Sequence, residues 1–132
     1  MSEMKHVDPS LRGWKDDAGK DPWDLAPWDA FRAIVAVLGF GARKYGVRNW
    51  EHGMAWSRLY AATLRHLTAW WAGERTDPET GLSHLAHAGC CVCFLIAFEI
   101  RGAGTDDRPR AVVVEPVERV VPRVPRAPHL PI

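Results

Sequence analysis

Apolar side chains fall into three stretches with helical spacing, separated by glycine- and proline-rich breaks. In the first, Phe31, Ile34, Val35, Leu38 and Ala42 sit at i, i+3, i+4, i+7 and i+11, one stripe of a helix that starts near Asp29. Pro22 and Pro27 keep residues 21–28 non-helical, and Gly39, Gly41 and Gly46 place the helix end between Gly39 and Tyr45. In the second, Tyr60, Leu64, Leu67 and Trp71 form a stripe over a helix from Arg58 to about Ala72, with Ser57 as N-cap and Gly73 closing the C-terminus. The third begins at Asp77-Pro78, a capping residue followed by proline at the first helical position, and runs to about Arg101. From Leu85 to Ile100 only His87 and Glu99 are clearly polar, so this helix needs neighbours on several sides. Two partner helices hardly suffice, and contacts between copies follow as an expectation.

The pattern predicts an all-α fold, a small bundle of three main helices completed by oligomerisation as a homodimer or homotetramer. Residues 1–28 read as an irregular arm packed on the domain, 29–102 as the helical core, and 103–132 as an extended or disordered tail. Six of the ten prolines fall in 109–132, interleaved with Val and Arg, which forbids a helix there.

Composition narrows the function. At 132 residues the chain fits one domain, and a net charge of +1 argues against strong nucleic-acid binding, which needs a basic excess. No run approaches the roughly 20 consecutive apolar residues of a bilayer span, and the N-terminal residues lack the apolar stretch of a secretory signal. A cytoplasmic protein without membrane contact is expected. Cys90, Cys91 and Cys93 lie too close together for a disulfide framework and read as small packed residues of the third helix.

The densest polar stretch runs from Glu74 to His87. Glu74, Asp77 and Glu79 fall within six residues, followed by His84 and His87 one helical turn apart. Two readings stay open: the carboxylates cap helix ends, or they hold a hard divalent cation such as Mg²⁺. His84 would extend the choice to Mn²⁺ or another transition ion. Arg65 and His66 lie midway along the second helix, and a histidine there is either a hydrogen-bonded core residue or part of the site. A second group, residues 42–50, combines Lys44 and Arg48 with Tyr45, Asn49 and Trp50. Basic groups suit phosphates, an amide suits a base edge and an indole can stack on a base. The same residues also describe an exposed basic loop anchoring one Trp in the core. Lys20 is a further phosphate candidate.

The order of these pieces resembles the N-terminal domain of the dATP/dGTP diphosphohydrolases of phages and prophages. The resemblance rests on Asp17-x-Gly-Lys20, Leu25-x-Pro27, Phe40-Gly41-Ala-x-Lys44-Tyr45-Gly46, Asn49-Trp50, Arg65-His66, Gly73-Glu74-x-x-Asp77-x-Glu79-x-Gly81 and His84-Leu-x-His87-Ala88. It covers about residues 16–101. It implies a hydrolase that splits a deoxypurine nucleoside triphosphate into monophosphate and pyrophosphate, controlling a phage nucleotide pool. The similarity to MazG-like pyrophosphohydrolases implies metal dependence and helical oligomers. Glu74-Arg-Thr-Asp77 matches one of their two acidic elements, while the Glu-Glu-x-x-Glu element has no counterpart here.

On this reading Glu74, Asp77 and Glu79 are catalytic and, with His84, hold Mg²⁺ or Mn²⁺. Lys20, Lys44, Tyr45, Asn49, Trp50, Arg65, His66 and His87 bind the substrate. The competing expectation is a non-catalytic nucleotide-binding or assembly module.

Overall fold

The computed structural model describes residues 13 and 15–110. Three helices, α1 (Trp28–Tyr45), α2 (Trp56–Trp71) and α3 (His84–Arg101), carry the fold, with short 3₁₀ turns at Trp23–Leu25 and Asn49–His52. Among the described residues there is no strand, only two isolated bridges. The all-α bundle expected from the periodicity is therefore present. The tail beyond residue 110, and the arm before residue 13, lie outside the described residues.

The apolar helix α3 is the hub: α1 and α2 both pack against it and diverge from one another. By length and a mean hydropathy of 1.4, α3 would pass for a membrane span, as a shared core helix does. Gly89 permits the close approach of α1, because a Cβ there would come within 2.8 Å of Ile34 Cδ1. Val37, Ala86 and Cys90 form the core between α1 and α3, joined by Ile34, Leu82 and Phe94. On the other side Leu59 and Thr63 of α2 are buried.

Three expectations need correction. Ser57 does not cap α2: the N-cap is Ala55, without a side-chain bond. The cap comes from the far end of the domain, where Asp107 accepts from the Ser57 backbone N–H at 2.9 Å and from its hydroxyl. Residues 103–107 form a strap over the start of α2. Trp56 N–H donates to Thr105 O, Thr105 N–H to Met54 O, and Trp56 Nε1 to Ala103 O. The second correction concerns the inward face of α2, which is Leu59, Thr63 and His66. Tyr60, Leu64, Leu67 and Trp71 are exposed, Trp71 by 83%. The most apolar stripe thus points outward, and the inward one is mixed because it borders a cavity that also holds charged and imidazole side chains.

Third, α3 starts at His84, not at Asp77-Pro78. The Asp-Pro signal opens a single turn instead. Asp77 Oδ1 accepts from Glu79 N–H at 2.8 Å and Thr80 N–H at 3.1 Å, and Gly81 N–H returns to Asp77 O. Gly81, at φ +68°, ends that turn, and Ser83 caps α3 by accepting from Ala86 N–H. A cap followed by proline specifies how a turn begins and not how far it continues. At the other helix ends the expectations held. Gly46 follows α1, and Gly73 (φ +100°) closes α2 as Glu74 N–H reaches back to Ala69 O.

Candidate functional site

The divergence of α1 and α2 leaves a cavity of about 1180 Å³ above α3. Its walls bring together residues far apart in sequence: Lys44, Tyr45, Asn49 and Trp50 from the end of α1 and the following loop, Arg65 and His66 from α2, Asp77 and Glu79 from the turn, and His84 and His87 from α3. Lys20 and Glu74 are not part of that wall. Lys20 sits in an exposed turn, its N–H bonded to Asp17 O.

The turn that displaces the start of α3 also builds the centre of the site. His84 N–H donates to Arg75 O and Asp77 N–H to Leu82 O, so the chain doubles back and Asp77 comes beside the first residue of α3. His84 is 3% exposed and lies against α2, where His66 Nδ1 is 2.9 Å from His84 Nδ1. Asp77 Oδ2 is 4.0 Å from His66 Nδ1. One ligand atom from each of His66, Asp77 and His84 lies within 4.8 Å of the other two. Glu74 stands behind this group, its Oε1 2.6 Å from His84 Nε2. A carboxylate at neutral pH only accepts, so His84 donates from Nε2, and in its neutral form it turns a bare Nδ1 toward His66.

His87 supports the cluster from the side. Its ring stacks on that of His66 with centroids 4.5 Å apart and planes 11° from parallel. Thr80 Oγ1 lies 2.7 Å from His87 Nε2 and accepts from Leu82 N–H, which leaves its own proton to donate to the imidazole.

The carboxylates expected to act together are thus separated into three roles. Asp77 points into the cluster, Glu74 contacts it only through His84, and Glu79 turns away to form an ion pair with Lys44. His66, assigned from sequence to the substrate, sits in the cluster. Trp50 is half-buried, stacked on Phe94 at 4.6 Å with Arg101 at 5.1 Å from its ring centroid. It anchors the loop in the core, as the competing sequence reading allowed. The loop itself carries Arg48 in the left-handed region at φ +59°, uncommon for a residue with a side chain. Arg48, Arg58 and Arg65 line the cavity without an ion-pair partner among the described residues. Arg58 is the contribution that sequence reasoning passed over, because a lone arginine near a helix start has no distinguishing neighbour.

Burial sets the protonation of the site. Desolvation, with the neighbouring His87 and His84, holds His66 below its ordinary value, and desolvation does the same to His87. Burial alone would raise the Asp77 carboxyl, but the N–H groups of Thr80 and Glu79 and the adjacent histidines outweigh it and hold it low. Near neutral pH the centre therefore contains an ionised Asp77 beside neutral His66 and His87. Burial pushes the Cys90 thiol up to about 12, in keeping with a packed, protonated side chain.

A stability trend follows. His66 and His87 bind protons less readily folded than unfolded, where they titrate near 6.5. The unfolded chain then takes up more protons as pH falls through that value, and stability falls with it. In metal-free buffer the melting temperature is expected to hold above about pH 7 and to decline steadily from about pH 6.5 to 5. The depressed Asp77 carboxyl adds a separate loss only below its ordinary value of 3.8. A profile flat from pH 7 to 5 would contradict this assignment of the two imidazoles.

Comparison with known proteins agrees with the family resemblance read from the sequence. The family described as dATP/dGTP diphosphohydrolase, N-terminal, matches residues 10–108. A dATP/dGTP diphosphohydrolase of Salmonella phage PMBT28 is 35% identical over 98 residues, which are 74% of this chain and 33% of that protein. The chain therefore spans about a third of the length of this relative. No solved structure matches.

Proposed function

The chain belongs to the dATP/dGTP diphosphohydrolase N-terminal family, and from that premise we propose that it hydrolyses deoxypurine nucleoside triphosphates to monophosphate and pyrophosphate. The observation that carries this reading is the convergence of His66, Asp77 and His84 on the wall of a cavity also lined by Arg48, Arg58 and Arg65. An acidic and imidazole centre beside guanidinium groups that are unpaired among the described residues suits a polyanion that must be held and attacked by water.

The donor set fits a divalent cation, with His66, Asp77 and His84 rather than Glu79 as its ligands; the sequence reading alone named Mg²⁺ or Mn²⁺. Such an ion supplies charge neutralisation at the phosphate oxygens and activates water for attack. The guanidinium groups orient the triphosphate, with Arg65 placed on α2 one residue before His66. Lys44 reaches the phosphates only by leaving Glu79, so a bound nucleotide competes with that ion pair. Tyr45 and Asn49 face the same cavity and are the groups left to contact the sugar or base. His87, stacked on His66, fixes that ring's plane. In a phage setting the reaction would adjust the deoxynucleotide pool.

Replacing Arg65 with Ala removes a charge-assisted hydrogen bond worth roughly 1.5–3 kcal/mol, so nucleotide binding should weaken at least about tenfold. Isothermal titration with a non-hydrolysable deoxyguanosine triphosphate analogue reads this directly. Unchanged affinity would remove Arg65 from the phosphate site.

We also propose that copies of the chain associate. Leu85, Val92, Ile96 and Ile100 follow one exposed face of α3, and Leu64, Leu67 and Trp71 add an apolar face on α2. Covering about 400 Å² of such surface contributes on the order of 10 kcal/mol before association costs. Sedimentation at micromolar concentration should show a dimer or tetramer, and Ile96→Glu should give monomers or aggregates. A well-behaved wild-type monomer would refute association.

A further inference from the structure

We propose that the His66–Asp77–His84 centre is an imidazole-dominated transition-metal site, which takes Mn²⁺, Co²⁺ or Zn²⁺ through both Nδ1 atoms and discriminates against Mg²⁺. The inference rests on the reading of this cavity as the reaction centre and specifies the ion class and the ligating atoms.

Glu74 Oε1 accepts from His84 Nε2, so in the neutral ring the lone pair of His84 is on Nδ1 and faces His66. With one bare Nδ1 already present, the 2.9 Å Nδ1–Nδ1 approach needs a hydrogen between the two atoms, and His66 must supply it. A cation can take the place of that hydrogen. His66 moves its proton from Nδ1 to Nε2, both rings stay neutral, and two nitrogen lone pairs then face one point with Asp77 Oδ2. Metal–ligand bonds of about 2.0–2.2 Å put neighbouring ligand atoms roughly 3–3.5 Å apart. The observed Nδ1–Nδ1 distance of 2.9 Å and Nδ1–Oδ2 distance of 4.0 Å bracket that range, and all three ligand atoms lie within 4.8 Å, so side-chain rotations would draw them onto one ion.

Two further features belong to a prepared metal site. The Glu74–His84 pair is the carboxylate–histidine arrangement that fixes a ligand's tautomer and ring orientation from behind. Asp77 is held by two backbone N–H bonds to Oδ1, which leaves Oδ2 toward the histidines. Ligand chemistry then selects the ion. Mg²⁺ prefers oxygen donors and gives up water reluctantly, whereas two imidazoles and one carboxylate suit later divalent ions. His87 is excluded from the ligand set, because its Nε2 is taken by Thr80 and its ring is stacked on His66.

Titration of the full chain with Mg²⁺, Mn²⁺, Co²⁺ and Zn²⁺, without nucleotide, tests the proposal. One Co²⁺ or Zn²⁺ per chain should bind at least about a hundredfold more tightly than Mg²⁺, with Mn²⁺ between them. In ¹⁵N spectra Zn²⁺ should shift Nδ1 of His66 and His84 and leave His87 without a metal-bound nitrogen. Glu74→Gln, at a half-exposed position, should keep the helical circular dichroism and weaken Co²⁺ binding about 10–100-fold. Mg²⁺ binding as tight as Co²⁺, or Zn²⁺ bound with both Nδ1 resonances unmoved, would overturn the proposal. Metal bound by these atoms without hydrolysis would instead count against the hydrolase reading alone, and full hydrolysis with Mg²⁺ and no metal at the histidines would count against this inference alone.

Discussion

Asp77→Asn is expected to reduce hydrolysis at least about a thousandfold, Glu74→Gln about 10–100-fold, and Glu79→Gln no more than about fivefold. The ordering comes from where the carboxylates stand. Asp77 Oδ2 faces His66 in the cluster, Glu74 reaches the cluster only through His84, and Glu79 pairs with Lys44 away from it. Asparagine keeps the Oδ1 acceptor that holds the 77–81 turn, so the fold should survive while the charge is lost. Steady-state rates with circular dichroism of each variant check the series. Equal losses at all three positions would support the sequence reading, in which the three carboxylates share the metal with His84, and would refute the site centred on His66, Asp77 and His84.

Phe98→Ala should cost about 3–5 kcal/mol of stability. Phe98 is 1% exposed, the most completely buried large side chain among the described residues. It joins three parts of the molecule: α3, the Trp50 ring at 6.1 Å, and the strap, whose Gly104 would place a Cβ 3.1 Å from the Phe98 ring. Truncation leaves a cavity that these neighbours cannot all close, because Trp50 is already stacked on Phe94. For a chain this size the loss corresponds to roughly 12 °C or more in melting temperature. Urea denaturation gives the free energy directly, and a loss below about 1 kcal/mol would show that the strap and Trp50 move freely into the space.

The helices were legible because their signals are local. The extents of α1 and α2 follow from periodicity, prolines and glycines, and the glycine closing α2 has the positive φ its position called for. What failed was non-local. Asp107 caps α2 from 50 residues away, and no spacing rule relates it to Ser57. The inward face of α2 was misread because periodicity selects the most apolar stripe, whereas the inward positions Leu59, Thr63 and His66 are mixed, and Leu59 and His66 border the cavity. The site was half legible. The stretch from Glu74 to His87 was found as a concentration of polar groups, but its division of roles depends on a one-turn reversal at Asp77 and on His66 arriving from α2. Trp50 carried two readings from sequence; its stacking on Phe94 supports the core anchor, and it also lines the cavity.

The most direct test of the hydrolase reading is to incubate the purified chain with each deoxynucleoside triphosphate and Mg²⁺ or Mn²⁺ and to separate the products. The account predicts monophosphate and pyrophosphate in equal amounts from dATP and dGTP, with turnover lost in Asp77→Asn. Nucleotide binding without any product, under every ion tried, would contradict it and identify the chain as a binding or assembly module.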